Sequence, residues 1–328
     1  MILAGDVGGT STRLGFFTIE DRRLNLVLEK DYPSRQHKSP DEIVVEFVSH
    51  NRLAIEYACF GVAGPVQHGR VETPNLPWVV DQETIARELR IESAWLINDL
   101  LANTYGIRAL EDKDFVVLNA GSSNPIGNAA VISAGTGLGE AGSYWDGSRY
   151  HPFACEGGHS DFAPRSELEI DLLKYLIEKF GHASWERVVS GPGLHNIFDF
   201  LRDTGRGEAP AWLTDEMREK DPSAVISQAA LEGKSELCVH ALDMFISCFG
   251  AEAGNLALKF LATGGVFVGG GIAPKIIQKL SEKTFVDAFT DKGRFKHVLE
   301  AIPVRVILND KTALLGAARC AARRASLI

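Results

Sequence analysis

Gly5-Asp6-Val7-Gly8-Gly9-Thr10-Ser11-Thr12-Arg13 follows the apolar run Ile2-Leu3-Ala4 and leads into Leu14-Gly15-Phe16-Phe17. Two short β patterns joined by a glycine-rich turn read as a hairpin. Glycine is the usual residue wherever φ must be positive, so one such turn needs no functional explanation. A second one occurs, however. Ala129–Ser133 reads as a strand, Ala134-Gly135-Thr136-Gly137-Leu138-Gly139 as a turn, and Glu140–Trp145 as a strand closed by Asp146-Gly147. Each turn carries Thr or Ser beside its glycines. The pair suggests two related halves whose backbone N–H groups and hydroxyls form nests for phosphate oxygens. Residue identity between the halves is too low to prove a duplication.

Helices and further strands alternate around these hairpins. Ser39 as N-cap, Pro40 at the first helical position and Glu42 two residues later predict a helix over 40–50. Ala58–Val62 and Ala94–Ile97 read as strands, and Asp81 as the cap of a helix through Leu89. Glu167–Phe180, Pro192–Arg202 and most of 224–262 have helical patterns. Val266–Val268 is a buried strand running into Gly269-Gly270-Gly271, with Pro274 opening the next helix. Val304–Leu308 closes the strands, and Ala313–Arg323 forms an alanine-rich terminal helix. Strands followed by helices give a mixed α/β class. A length of 328 residues suits two domains. Asn119–Asn128 is the most linker-like stretch, with a hinge near 109 as the alternative.

Composition excludes several classes. With 34 basic and 43 acidic residues the net charge is −9, which argues against a nucleic-acid or anionic-membrane binder. The longest apolar stretch, Leu256–Val268, is broken by Lys259 and Gly264-Gly265 and falls short of the roughly 18 residues of a membrane span. Met1-Ile2-Leu3 enters a strand directly, with no basic segment before it, so a cytoplasmic location is expected. Five cysteines without a Cys-x-x-Cys pair fit reduced thiols rather than a zinc or disulfide framework.

The polar motifs divide into those with chemistry and those without. No G-x-x-x-x-G-K-[ST] occurs, so a P-loop is excluded. Gly137-Leu138-Gly139-Glu140-Ala141-Gly142 matches G-x-G-x-x-G, but a dinucleotide fingerprint must open a helix. Strand and hairpin residues Ser143–Gly147 follow instead. Asp99 stands where a strand ends and a helix begins, which suits either a helix cap or a ligand group at a strand's carboxyl end. Asn98 doubles the polar groups there. Glu156-Gly157-Gly158-His159-Ser160-Asp161 has glycines that would break the helix needed to align Glu and His on a metal. A hydrogen-bonding cluster for a polyhydroxylated ligand fits it better. Glu186 alone reads as a surface helix residue, and Arg22-Arg23 and Arg323-Arg324 as solvated charges.

Taken in order, GDVGGTSTRL (5–14), IND (97–99), SAGTGLGEA (133–141), EGGHSDFAP (156–164), ERVVSGPGL (186–194), GGVFVGGGIAP (264–274), DKGRF (291–295) and LLGAA (314–318) resemble the bacterial glucokinase family. That family lies within the actin–hexokinase–Hsp70 superfamily. The cysteine-rich zinc motif of the related ROK kinases is missing, so the resemblance is to the zinc-free type. It implies a two-domain actin-like ATPase (ribonuclease H-like) α/β fold with a cleft. The small domain would hold 1–109 plus 311–328, and the large one 110–310.

The resemblance further implies ATP-dependent phosphorylation of glucose with Mg²⁺ and no zinc. Asp6 would lie near the magnesium, through water. Gly8, Gly9, Thr10, Ser11 and Thr12, with Gly135, Thr136, Gly137 and Gly139, would be phosphate loops. Gly269, Gly270 and Gly271 would back the adenosine. Asn98, Asp99, Glu156, His159 and Glu186 would hold the sugar, with Asp99 as the catalytic base. Asn75, in the Thr73–Trp78 loop, would be a further sugar contact, closer in pattern to ROK kinases and hexokinases. A homodimer is expected, without nucleic-acid or membrane partners. A kinase for fructose, mannose or an N-acylmannosamine is the main alternative, and a non-catalytic sugar sensor the lesser one.

Overall fold

A computed structural model describes residues 1–52, 54–73 and 76–328. The chain divides into two units, Met1–Asp114 with Asn309–Ile328, and Phe115–Leu308. The sequence places these boundaries at 109 and 311. The first unit extends further because the 3₁₀ turn Asp112–Asp114 stays tied to it: Asn309 Nδ2 donates to Asp114 Oδ1 at 3.2 Å.

In the first unit β1 (Ile2–Val7), β2 (Ser11–Glu20) and β3 (Arg23–Pro33) form an antiparallel meander. Helix α1 (Pro40–Asn51) follows, capped by Ser39, whose Oγ accepts from Glu42 N at 3.3 Å. Strand β4 (Tyr57–Val62) then pairs with β1 in parallel. The short hairpin β5 (Arg70–Glu72) and β6 (Val79–Asp81) leads to α2 (Gln82–Leu89), capped by Asp81. Strand β7 (Ser93–Asn98) pairs in parallel with β4 and runs into α3 (Asp99–Gly106). The sheet order is β3-β2-β1-β4-β7.

One sheet face is covered around Phe16 and Phe47, which stack at 5.0 Å. Against the other face lie α3 and the terminal helix Thr312–Arg324. A side chain at Gly316 would overlap the Ala102 carbonyl, and one at Gly106 the Thr312 carbonyl. The two helices therefore pack backbone to backbone, which explains the small residues of the terminal helix.

The second unit repeats this order. Strand β8 (Phe115–Asn119) comes first in sequence, then β9 (Ala129–Ala134), β10 (Leu138–Trp145) and β11 (Tyr150–Cys155) as an antiparallel meander. Five helices follow: α4 (Glu167–Phe180), α5 (Gly191–Asp203), α6 (Ala211–Glu219), α7 (Pro222–Leu231) and α8 (Glu236–Phe260). Strand β12 (Gly265–Gly269) lies parallel to β9. After α9 (Ile277–Leu280), α10 (Lys283–Thr290) and α11 (Lys296–Glu300), β13 (Val304–Ile307) joins β12 in parallel. The sheet order is β11-β10-β9-β12-β13-β8.

Several sequence expectations change here. Strand β3 has no alternation of burial to announce it, because it is an edge strand with mostly exposed residues. Asp21 and Arg22, at φ 50° and 61°, turn the chain into it. Asn119–Asn128 is no linker between units: it lies within the second, where Ser122 N donates to Ala301 O at 2.8 Å. Pro274 sits in a turn, and the helix after it starts at Ile277. The long apolar element is α8 rather than 256–268. By length and composition α8 could cross a membrane, but 78% of its most apolar window is buried inside the protein.

Candidate active site

In the first unit the strand register decides which acids meet. Asp6 lies opposite Gly61 of β4, and Val62 opposite Asn98 of β7. Asp6 and Asp99, 93 positions apart in sequence, therefore stand at the same carboxyl edge of one sheet. Close packing of α3 holds that geometry, since a Cβ at Gly61 would come within 2.8 Å of Ala102 Cβ. Burial pushes the Asp6 carboxyl up to about 6, and the negative charge of Asp99 adds to the rise. The Arg13 guanidinium opposes it; Arg13 is itself engaged by Asp31 at 2.7 Å and Asp310 at 3.0 Å.

Asp99 is not the helix cap. That role belongs to Asn98, whose Oδ1 accepts from Leu100 N at 2.9 Å and Leu101 N at 3.2 Å. Asn98 Nδ2 also donates to Gly64 O at 3.2 Å. Asp99 is the first helical residue, its Oδ1 accepting from Leu100 N at 2.9 Å. An acid beyond an already effective amide cap is more than helix initiation requires.

The turn at 8–10 is closed by Gly8 N donating to Ser11 O at 3.0 Å. Ser34 supports it from behind: Ser34 Oγ donates to Gly8 O at 2.7 Å and shares a hydrogen bond with Thr12 Oγ1 at 2.9 Å. Thr12 is fully buried, so its hydroxyl braces the turn instead of lining it. Thr10 and Ser11 are exposed and Gly8 and Gly9 partly so. Asn75 lies outside the described residues.

In the second unit three motifs meet at the start of β10. Gly135 N donates to Gly137 O at 2.9 Å, making the turn, and Gly191 N at the head of α5 donates to Gly135 O at 2.8 Å. Thr136 is exposed at its tip. Glu186 is no free surface residue, since its Oε2 accepts from Leu138 N at 3.0 Å. A Cβ at Gly137 would lie 2.5 Å from that same oxygen. None of Gly8, Gly9, Gly135, Gly137 or Gly139 has a positive φ. At Gly137 it is close approach, not left-handed backbone, that matters: a side chain there would push the Glu186 carboxylate off its place on Leu138 N. Gly270 is the opposite case, with φ 87° and no room for a Cβ against Ala134. Gly269 pairs with Ser133, so Gly269–Gly271 lies beside the Ala134–Gly135 turn.

The Glu156–His159 segment packs on the same strand. A side chain at Gly158 would overlap Leu138 O, and one at Gly157 would overlap Glu140 Oε2. Trp185 N donates to Ser160 O at 3.0 Å and Phe162 N to Ala183 O at 2.9 Å, stitching this segment to the one carrying Glu186. Glu156 and His159 are both exposed. Asp161 is drawn off to His182 at 2.9 Å. Among the described residues no group of three or more metal-ligating side chains occurs.

One buried acid escapes sequence reasoning. Glu140 is 1% exposed and faces Glu252 of α8, itself 0% exposed. Burial, and then the Glu252 charge, pushes Glu140 up to about 8. Nothing local marks it: in sequence it is the polar residue after Gly139.

The family model for glucokinase matches residues 3–324. The chain belongs to the glucokinase family. A glucokinase from a Nostoc species is 42% identical over 98% of this chain and 99% of its own length. Among solved structures, a glucokinase from an Antarctic psychrotroph superposes with a TM-score of 0.87 at 30% identity, covering 98% of both chains. A ROK-family glucokinase from Streptomyces griseus, solved with glucose and AMPPNP, gives a TM-score of 0.61 at 20% identity over 98% of this chain and 99% of its own. These neighbours share the actin-like ATPase fold.

Proposed function

We infer that this chain is a kinase transferring the γ-phosphoryl group of ATP to the 6-hydroxyl of glucose. The observation that carries the reading is the match to glucokinases over nearly the whole chain. Phosphoryl transfer needs positioning and charge neutralisation more than covalent chemistry. Asp99 accepts the proton of the 6-hydroxyl as that oxygen attacks phosphorus, leaving ADP as the departing group. Thr10 and Ser11, with the backbone of Gly8–Gly9 and Gly135–Gly139, bind phosphate oxygens, and Gly269–Gly271 backs the adenosine. Glu156 and His159 hydrogen-bond the sugar hydroxyls. Glu186 joins them, and its bond to Leu138 N couples its position to the phosphate turn.

Asp6 suits a magnesium–water cluster. A carboxyl raised by burial and by a neighbouring aspartate is one whose charged form a divalent cation stabilises. Bound there, Mg²⁺ would screen the phosphate charge.

The test is product analysis. With glucose, ATP and Mg²⁺, ADP and glucose 6-phosphate should form in equal amounts, and chelation of Mg²⁺ should stop both. ADP release without a sugar phosphate, or activity requiring a nicotinamide cofactor, overturns the reading.

A further inference from the structure

Glu140 opens β10 and points into the second unit's interior. Neither of its carboxyl oxygens receives a hydrogen bond from an N–H or O–H donor among the described residues. Its polar neighbour is Glu252, which accepts from Asn255 Nδ2 at 2.8 Å and Lys259 Nζ at 3.1 Å. Two carboxyl groups hold together in a dry interior only when one keeps its proton and donates it to the other. The donors around Glu252 fix it as the charged partner, so Glu140 is the acid. On its other side Glu140 touches the Glu156–His159 turn, since Gly157 has no space for a Cβ against Oε2. Glu140 also pairs across the β10–β11 ladder with Cys155, the residue before Glu156.

We propose that Glu140 is a positioning residue for sugar recognition, its protonated carboxyl donating to Glu252 and forming the floor on which Gly157 seats the Glu156–His159 turn. This rests on the reading of Glu156 and His159 as sugar ligands. Through Glu252 the floor is anchored to the long core helix α8. An ionised Glu140 would face the Glu252 charge across the same contact, and the turn would lose its seat.

The charged and titratable groups around the pair are few. Lys259 and Glu252 face Glu140 from α8, and Cys155 faces it from β11, its thiol raised by burial. Glu252 also faces Lys292, which donates to Ala251 O at 2.9 Å and Asn255 Oδ1 at 2.7 Å. Burial pushes Lys292 down to about 8, so it titrates in the same range as Glu140 and must be separated from it.

Steady-state kinetics of wild type, Glu140→Gln and Glu140→Leu, with Glu156→Gln as a reference, make that separation. Leu cannot donate to Glu252, so the glucose KM should rise about tenfold while the ATP KM stays within about twofold. Gln mimics the neutral acid and should hold the glucose KM near wild type at pH 7. Above pH 8 the wild-type glucose KM should climb and that of Glu140→Gln should not. An unchanged glucose KM in Glu140→Leu overturns the proposal, as does a parallel rise for ATP. A Gln variant that keeps the alkaline climb assigns it to Lys292 and also overturns it. If Glu140→Leu does not fold, the Gln pH profile decides alone. An unchanged glucose KM in Glu156→Gln removes the sugar-site reading and this proposal with it. A raised KM there with indifferent Glu140 variants removes only the proposal.

Discussion

The first unit's strand order β3-β2-β1-β4-β7 and the second unit's β11-β10-β9-β12-β13 match in order and sense, and each first hairpin ends in a glycine-rich turn. Behind the turns the units diverge. The first braces its turn with neutral hydroxyls, Ser34 and Thr12, and sets two acids at the same sheet edge, with β4 between their strands. The second braces its turn with a carboxylate, Glu186, and keeps a further acid, Glu140, buried below. One backbone plan thus serves two chemistries. On the proposed reading, charge is concentrated where a proton and a cation would be handled, and serves as a hydrogen-bond acceptor where the sugar would be read.

Substitutions on each side should separate these roles. The largest effect is expected in the first unit. Asp99→Asn should lower kcat by about 10² or more, the usual scale for losing a general base, while glucose affinity changes only a few fold. A variant keeping a third of wild-type turnover would reduce Asp99 to a helix residue and erase the contrast. In the second unit Glu156→Gln should instead raise the glucose KM by about tenfold, because a charge-assisted hydrogen bond contributes about 1.5 kcal/mol or more. A fall in kcat with KM unchanged would place Glu156 with the acids of the first unit.

Ser34→Ala tests the hydroxyl brace. It leaves the buried Thr12 hydroxyl without its partner, at about 1–3 kcal/mol. The melting temperature should drop and the ATP KM rise a few fold, with the glucose KM nearly steady; the reverse selectivity would contradict a phosphate role for the 8–10 turn. A last effect is thermal and pH-dependent. Glu140 sits above its ordinary 4.5, at about 8, so the native state holds a proton that the unfolded chain releases. Stability should therefore fall as pH rises from about 4.5 to about 8 and then level off. Glu140→Gln lacks that loss, so its melting temperature relative to wild type should improve between pH 5 and pH 8. A constant difference would mean that Glu140 titrates normally.

Much of the candidate site is legible in the sequence because its residues sit in short motifs. The two turns, Asn98-Asp99, the Glu156–His159 run and Gly269–Gly271 all advertise themselves by glycines and polar residues at fixed spacing. What was hidden depends on long-range contact. That Asn98 rather than Asp99 caps α3 follows from backbone geometry at the strand–helix junction. Glu186 reads as a surface residue in sequence because its partner, Leu138 N, lies 48 positions away. Glu140 and Glu252 are 112 positions apart and carry no pattern that pairs them. Strand β3 leaves no such pattern, because an exposed edge strand buries too little to show an apolar period.

Sugar discrimination tests the account most directly. A carboxylate that loses its hydroxyl partner is left unsatisfied, so these groups should reject missing or inverted hydroxyls sharply. The measurement is kcat/KM of the wild-type protein with ATP and Mg²⁺ for glucose, mannose, fructose, galactose and N-acetylmannosamine. Glucose should give the highest value and galactose, inverted at C4, one of the lowest. If fructose or N-acetylmannosamine is preferred, the chain is a sugar kinase of another specificity and the assignment to glucose is wrong.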